Sequence, residues 1–113
     1  MASVLVSESD PDVRRLLAVL LTRLGHEAIV LGGGFDMPPP ADLLLLEPAS
    51  ADCLEQAWLV RLYNPTIPVV CVSVLPEEAH FLTLGPLGYL TKPFTLDQLQ
   101  RVLDRALAPA LSA

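Results

Sequence analysis

The chain has 113 residues, 52% of them apolar and 18% charged, enough apolar mass for one packed core and too much for a disordered segment. Its formal charge is −6, from 13 acidic and 7 basic residues, which argues against direct binding of nucleic acid. No apolar run reaches the roughly 18–20 residues of a bilayer span, so no membrane segment is expected.

In chain order, Ser3–Ser7 (SVLVS) predicts a short buried strand. Asp10 and Pro11 predict a helix start, with Asp10 as cap and Pro11 in the first helical position. Val13, Leu16, Leu17, Leu20 and Leu24 then recur at helical spacing as an inward stripe, and Gly25 ends the helix. Glu27–Leu31 (EAIVL) reads as a second strand. The following GGGFDMPPPAD, Gly32–Asp42, falls short of an ordinary helical crossover, which takes about a dozen residues or more. Pro38–Pro40 cannot lie inside a helix. Gly32–Pro40 is therefore expected to be irregular and more mobile than the core, leaving neighbouring surface exposed.

Leu43–Leu46 (LLLL), bounded by Asp42 and Glu47, predicts a central strand buried on both faces. Asp52–Tyr63 reads as a helix with Leu54, Ala57, Trp58 and Leu62 inward, ended by Asn64-Pro65. Pro68–Ser73 (PVVCVS) is a β-branched strand, Pro76–Leu84 predicts one or two helical turns, and Gly88–Thr91 (GYLT) is a short strand. Thr95–Leu107 predicts a helix opened by a capping box of Thr95 and Gln98, with Leu96, Leu99, Leu103, Ala106 and Leu107 on one face. Strands alternating with helices imply an α/β fold on a parallel sheet with right-handed crossovers, and residues 1–113 read as one domain.

In such sheets the residues just after each strand line the ligand crevice. Here they are Ser7 to Asp10, Glu47-Pro48, Ser73 and Lys92-Pro93: carboxylates, hydroxyls and one ammonium. Lys92 is the only lysine, the other six basic residues being arginine, and a direct Glu47–Lys92 ion pair is expected. The rival reading of Lys92 is an ordinary surface lysine. Gly32-Gly33-Gly34 lacks the Lys-Ser/Thr of a phosphate loop and reads as a turn. His26 and His80 have no partner at metal-ligand spacing and read as surface residues, Cys71 as a small core residue and Trp58 as a packing residue. MASVLV shows no secretory pattern, and two cysteines allow at most one bridge, so a reducing cytoplasm is the expected location.

The segments SESDPDVRRLL, LLLLE, VVCVS and GYLTKPF, in this order, resemble the receiver domain of two-component response regulators over nearly the whole chain. That resemblance implies a doubly wound five-stranded parallel sheet of order 2-1-3-4-5 that accepts a phosphoryl group on an aspartate, with Mg²⁺ held by acidic neighbours. It also implies that Ser73 stands at the family's Ser/Thr position, Lys92 at its lysine and Tyr89 at its switch aromatic, and that the Lys92-Pro93 bond is cis. The departures fall on the chemistry. Glu47 stands where the family has its phosphoacceptor aspartate, and Glu8-Ser9 replaces the acidic pair, leaving Glu8 and Glu47 as weak candidates for a metal. No cofactor and no enzymatic activity are expected. Glu47 instead places a permanent negative charge near where a phosphoryl group would begin, in partial mimicry of phosphate.

The expected function is a phosphorylation-independent signalling module acting through a protein partner or a second copy. Alternatives are a phospho-switch on Ser9 or Ser50, or a small-ligand or nucleotide pocket. The resemblance places association on the fourth helix, fifth strand and last helix, here Pro76–Leu87, Gly88–Thr91 and Thr95–Leu107. Phe81, Leu82, Leu84 and Leu87 are too many apolar residues for a short helix to turn inward, and an exposed remainder would form an interface rimmed by Arg101 and Arg105. The rival reading is that Phe81 and Leu84 cover the sheet edge.

Overall fold

Five short apolar segments pair as one all-parallel sheet in the order β2-β1-β3-β4-β5. The computed structural model describes residues 1–32, 37–74 and 84–111. The elements are β1 (Ser3–Ser7), α1 (Pro11–Arg23), β2 (Glu27–Val30), β3 (Leu43–Leu46), α2 (Ala51–Tyr63), β4 (Val69–Ser73), β5 (Gly88–Thr91) and α3 (Leu96–Leu111). The predicted strand order and, among the described residues, the predicted element types are thus found, and each predicted strand boundary agrees to within a residue.

The sheet is covered on both faces, and the two-residue period of a strand divides its side chains between two cores. Val4, Val6, Leu43, Leu45, Val70 and Val72 face Leu17 and Leu21 of α1 and Leu99, Leu103, Ala106 and Leu107 of α3. Leu5, Leu44, Leu46, Val69 and Cys71 face Cys53, Ala57 and Val60 of α2. The four leucines of β3 therefore serve alternate faces, which is why their run shows no amphipathic period. Each fully buried leucine contributes about 1.5–3 kcal/mol of transfer free energy. Cys53 and Cys71 are both buried, and no disulfide joins them.

The helix ends follow local chemistry. The Asp10 carboxylate accepts from the Asp12 and Val13 amides at 2.9 and 3.4 Å, with Pro11 next in line. Gly25 follows α1 at φ +86°, a conformation glycine adopts without strain. Ahead of α3, the Gln98 amide donates to the Thr95 hydroxyl (3.1 Å) and the Thr95 amide donates to the Gln98 side-chain oxygen (2.9 Å). This is the reciprocal capping box read from the sequence.

Helix rotation departs from expectation in two places. In α1, Leu17 and Leu21 are the buried pair and Leu16 is exposed. In α2, Cys53, Ala57 and Val60 turn inward, whereas Trp58 and Leu62 are exposed. Both helices carry apolar residues beyond one stripe, so periodicity alone leaves the inward direction open. The small Ala57 side chain lets α2 approach the sheet with its Cys53–Val60 face. His26 is half-buried rather than superficial, its Nδ1 accepting from the Ala2 amide at 3.2 Å.

Between β2 and β3 there is no helix among the described residues. Leu31 is buried, its amide donating to the Val6 carbonyl (2.9 Å), and the Asp42 amide donates to the Ser3 carbonyl (2.8 Å). The Gln56 side chain clasps this connection to the sheet, donating to the Gly32 carbonyl at 3.0 Å and accepting from the Ser7 hydroxyl. Met37 and Val30 are exposed, and a groove of about 330 Å³ runs between Met37–Pro40 and the end of α2 at Tyr63. Gly33, Gly34, Phe35 and Asp36, and most of the helical turn predicted at Pro76–Leu84 with His80 and Phe81, lie outside the described residues.

Candidate functional site

Four strands end in or just before charged or hydroxyl residues, and the parallel ladder brings those ends together. The Glu47 amide donates to the Ser7 carbonyl and the Lys92 amide to the Ser73 carbonyl, both at 2.9 Å, so pairing continues just past the strands. This places Glu8, Glu47, Ser73 and Lys92 around one crevice at the carboxyl edge of the sheet.

The expected Glu47–Lys92 ion pair is present, and it is half of a larger arrangement. Lys92 Nζ lies 2.9 Å from Glu47 Oε2 and 2.8 Å from Glu8 Oε2. The remaining carboxylate oxygens are also engaged. Glu47 Oε1 accepts from the Ser73 hydroxyl (2.8 Å) and the Ala49 amide (2.9 Å), and Glu8 Oε1 accepts from the Asp10 amide (3.1 Å). The Glu8, Glu47 and Lys92 side chains are only 3%, 7% and 15% exposed. Two carboxylates thus share one ammonium away from bulk water, and the reading of Lys92 as a surface residue is overturned.

Burial opposes the charge on Lys92, but hydrogen bonds and Coulombic attraction from Glu8 and Glu47 outweigh it. The net effect raises its pKa above the ordinary 10.5. Removing its proton would leave two neighbouring carboxylates without their common partner.

The other predicted positions are distributed around this centre. Ser9 is exposed, and the Ser50 hydroxyl accepts from the Cys53 amide at 3.3 Å as the cap of α2. Together with Glu8, Asp10, Glu47 and Lys92 they border an open depression of about 340 Å³. Tyr89 is half-buried beside the second core cluster, and the Lys92-Pro93 peptide is cis with Pro93 exposed. Arg101 and Arg105 are exposed and line a groove of about 410 Å³ with Tyr89, Thr91 and Pro93. Leu87 is exposed, whereas Leu84 is buried against the α2 face of the sheet and is removed from the interface candidates. Its apolar side chain covers the sheet instead. Phe81 lies outside the described residues.

Sequence reasoning missed the Glu8–Lys92 bond and the role of Gln56. Glu8 lies one residue past a strand, so the strand-end argument carried the signal. Gln56 gives none, because a glutamine on a helix is compatible with solvent on every side.

No family model matches the chain. The chain is similar to the transcriptional regulatory protein ZraR of Salmonella typhimurium, 30% identical over 115 residues that cover 93% of this chain and 26% of that protein. It is 28% identical to the DNA-binding transcriptional regulator NtrC of Azospirillum brasilense, over 94% of this chain and 24% of the relative. The chain thus spans about a quarter of the length of the curated relatives it matches. Among solved structures it resembles the receiver domain of a Pseudomonas aeruginosa sensor histidine kinase, with a TM-score of 0.79, 20% identity and coverage of 95% of this chain and 98% of that one. It also resembles a chemotaxis response regulator of Vibrio cholerae, with a TM-score of 0.80, 20% identity and coverage of 95% and 99%. Among the described residues no helix is long and apolar enough to cross a membrane. Sheet order, strand-end residues and relatives agree: the chain has the fold of a receiver domain and is similar, over that domain, to response regulators.

Proposed function

We propose that this receiver domain signals without an aspartyl phosphate and without catalysing a reaction, by presenting a constitutive surface to a protein partner. One observation carries the reading: Glu47, at the family's phosphoacceptor position, already holds both the Ser73 hydroxyl and the Lys92 ammonium through its own carboxylate. The charge that phosphorylation would deliver is in part supplied by the longer side chain, and the groups that would meet a phosphoryl oxygen are occupied.

The donor set also fits Mg²⁺ poorly. Octahedral Mg²⁺ favours free carboxylate oxygens and water at close to ideal geometry. Here one oxygen each of Glu8 and Glu47 is bonded to Lys92, Ser9 offers no carboxylate, and Asp10 accepts from the amides of α1. A phospho-switch on Ser50 is disfavoured by its use as a helix cap. Two buried carboxylates around one ammonium likewise give an anionic crevice, unfavourable for nucleotide phosphates. The partner surface in this reading is the groove of β5 and α3, with Leu87, Tyr89, Arg101 and Arg105.

The test is incubation with a small acyl-phosphate donor and Mg²⁺, followed by intact mass. No phosphoryl adduct is expected. A stoichiometric adduct would overturn the reading, and its position would decide between Glu47 and the serines.

A further inference from the structure

We propose that the chain associates with copies of itself head to tail, the outer face of α1 in one copy docking on the outer face of α2 in the next. The reading is independent of the state of the Glu47 site.

Each helix presents apolar side chains to water beside uncompensated charge. On α1, Leu16 and Val19 are 49% and 53% exposed, between the exposed Arg15 and Arg23. On α2, Trp58, Leu62 and Tyr63 are 51%, 74% and 51% exposed, and the exposed Asp52 and Glu55 precede them on the first turns. Arg15, Arg23, Asp52 and Glu55 have no ion-pair partner among the described residues. One face is apolar and basic, the other apolar and acidic. That complementarity selects a second copy as the occupant.

The spacing also matches. About two helical turns separate Leu16 from Arg23, and the same step separates Glu55 from Leu62. Antiparallel helices therefore set Arg23 against Glu55, Leu16 against Leu62 and Arg15 against the Tyr63 ring, with Val19 meeting Trp58 between them. The two faces lie on opposite sides of the sheet, since α1 packs on one core and α2 on the other. A single copy can engage both at once, so the contact is heterologous and extends beyond a dimer.

Sedimentation velocity from micromolar to millimolar protein tests this. The natural chain is expected to grow past the dimer as concentration rises. Val19→Asp and Trp58→Asp, both at exposed positions, should each sediment as monomers. Mixed in equal amounts, they should form a one-to-one dimer and stop there, because each supplies the face the other lacks. Arg23→Glu or Glu55→Arg should weaken association singly, and one chain carrying both should regain it; these exchanges touch only exposed charges and guard against misfolding of the first pair. A natural chain that is monomeric throughout, association that survives either aspartate substitution, or a mixture that stays monomeric would each overturn the proposal.

Discussion

The crevice at the carboxyl edge of the sheet buries charge, while the outer faces of α1 and α2 leave leucine, valine and tryptophan in water. The usual partition is reversed in both places, for different reasons. Glu8, Glu47 and Ser73 tolerate burial because their polar atoms are matched, and no buried side-chain nitrogen or oxygen lacks a partner among the described residues. Leu16, Val19, Trp58 and Leu62 are tolerated outside because exposure of a few apolar side chains costs a monomer little. A buried charge is therefore vulnerable to losing one neighbour, whereas an exposed apolar residue matters chiefly for what docks on it.

The contrast can be tested on stability, starting where most is at stake. Lys92→Met leaves Glu8 and Glu47 facing each other without a cation and is expected to cost about 3–5 kcal/mol in denaturant unfolding. Leu21→Ala, in the core beneath α1, should cost about 2–5 kcal/mol by the same measurement. Ser73→Ala removes one of the two donors to Glu47 Oε1, with an expected loss of about 1.5–3 kcal/mol.

Alkaline pH separates the crevice from the rest of the fold. The folded-state pKa of Lys92 is raised, so its contribution is fully present below the unfolded value of 10.5 and is lost as pH rises through the higher folded value. Unfolding measured from neutral pH to above 10.5 should show this loss in the natural chain. Lys92→Arg, which keeps its charge over that range, should show less of it. The smallest effect is expected at Leu16→Ala, within about 0.5 kcal/mol, on the same helix and with the same residue type as Leu21. A large loss there would show that the exposed face of α1 supports the monomer.

Much of the architecture was legible in the chain. Asp10-Pro11, Thr95 with Gln98, and Gly25 mark helix ends by hydrogen bonds that close within a few residues, so their signals are local. The apolar runs at Ser3–Ser7, Leu43–Leu46 and Val69–Ser73 are short and bounded by turn residues, which marks them as strands, and the strand ends correctly placed Glu47 beside Lys92. The prolines of Met37–Pro40 likewise announced a connection that carries no helix among the described residues.

Tertiary structure decided the rest. Which way α1 and α2 face depended on the fit of Leu17, Leu21, Ala57 and Val60 to the sheet, because both helices carry apolar residues around more than one stripe. That Lys92 bonds Glu8 as well as Glu47 was decided by the order of strands. β1 and β3 are neighbours, β5 lies beyond β4, and a lysine side chain is long enough to reach across the crevice to both carboxylates. Chain position states which residues end a strand. Only the packed sheet sets the few ångströms between those ends, and in a dry crevice those distances determine which charges pair.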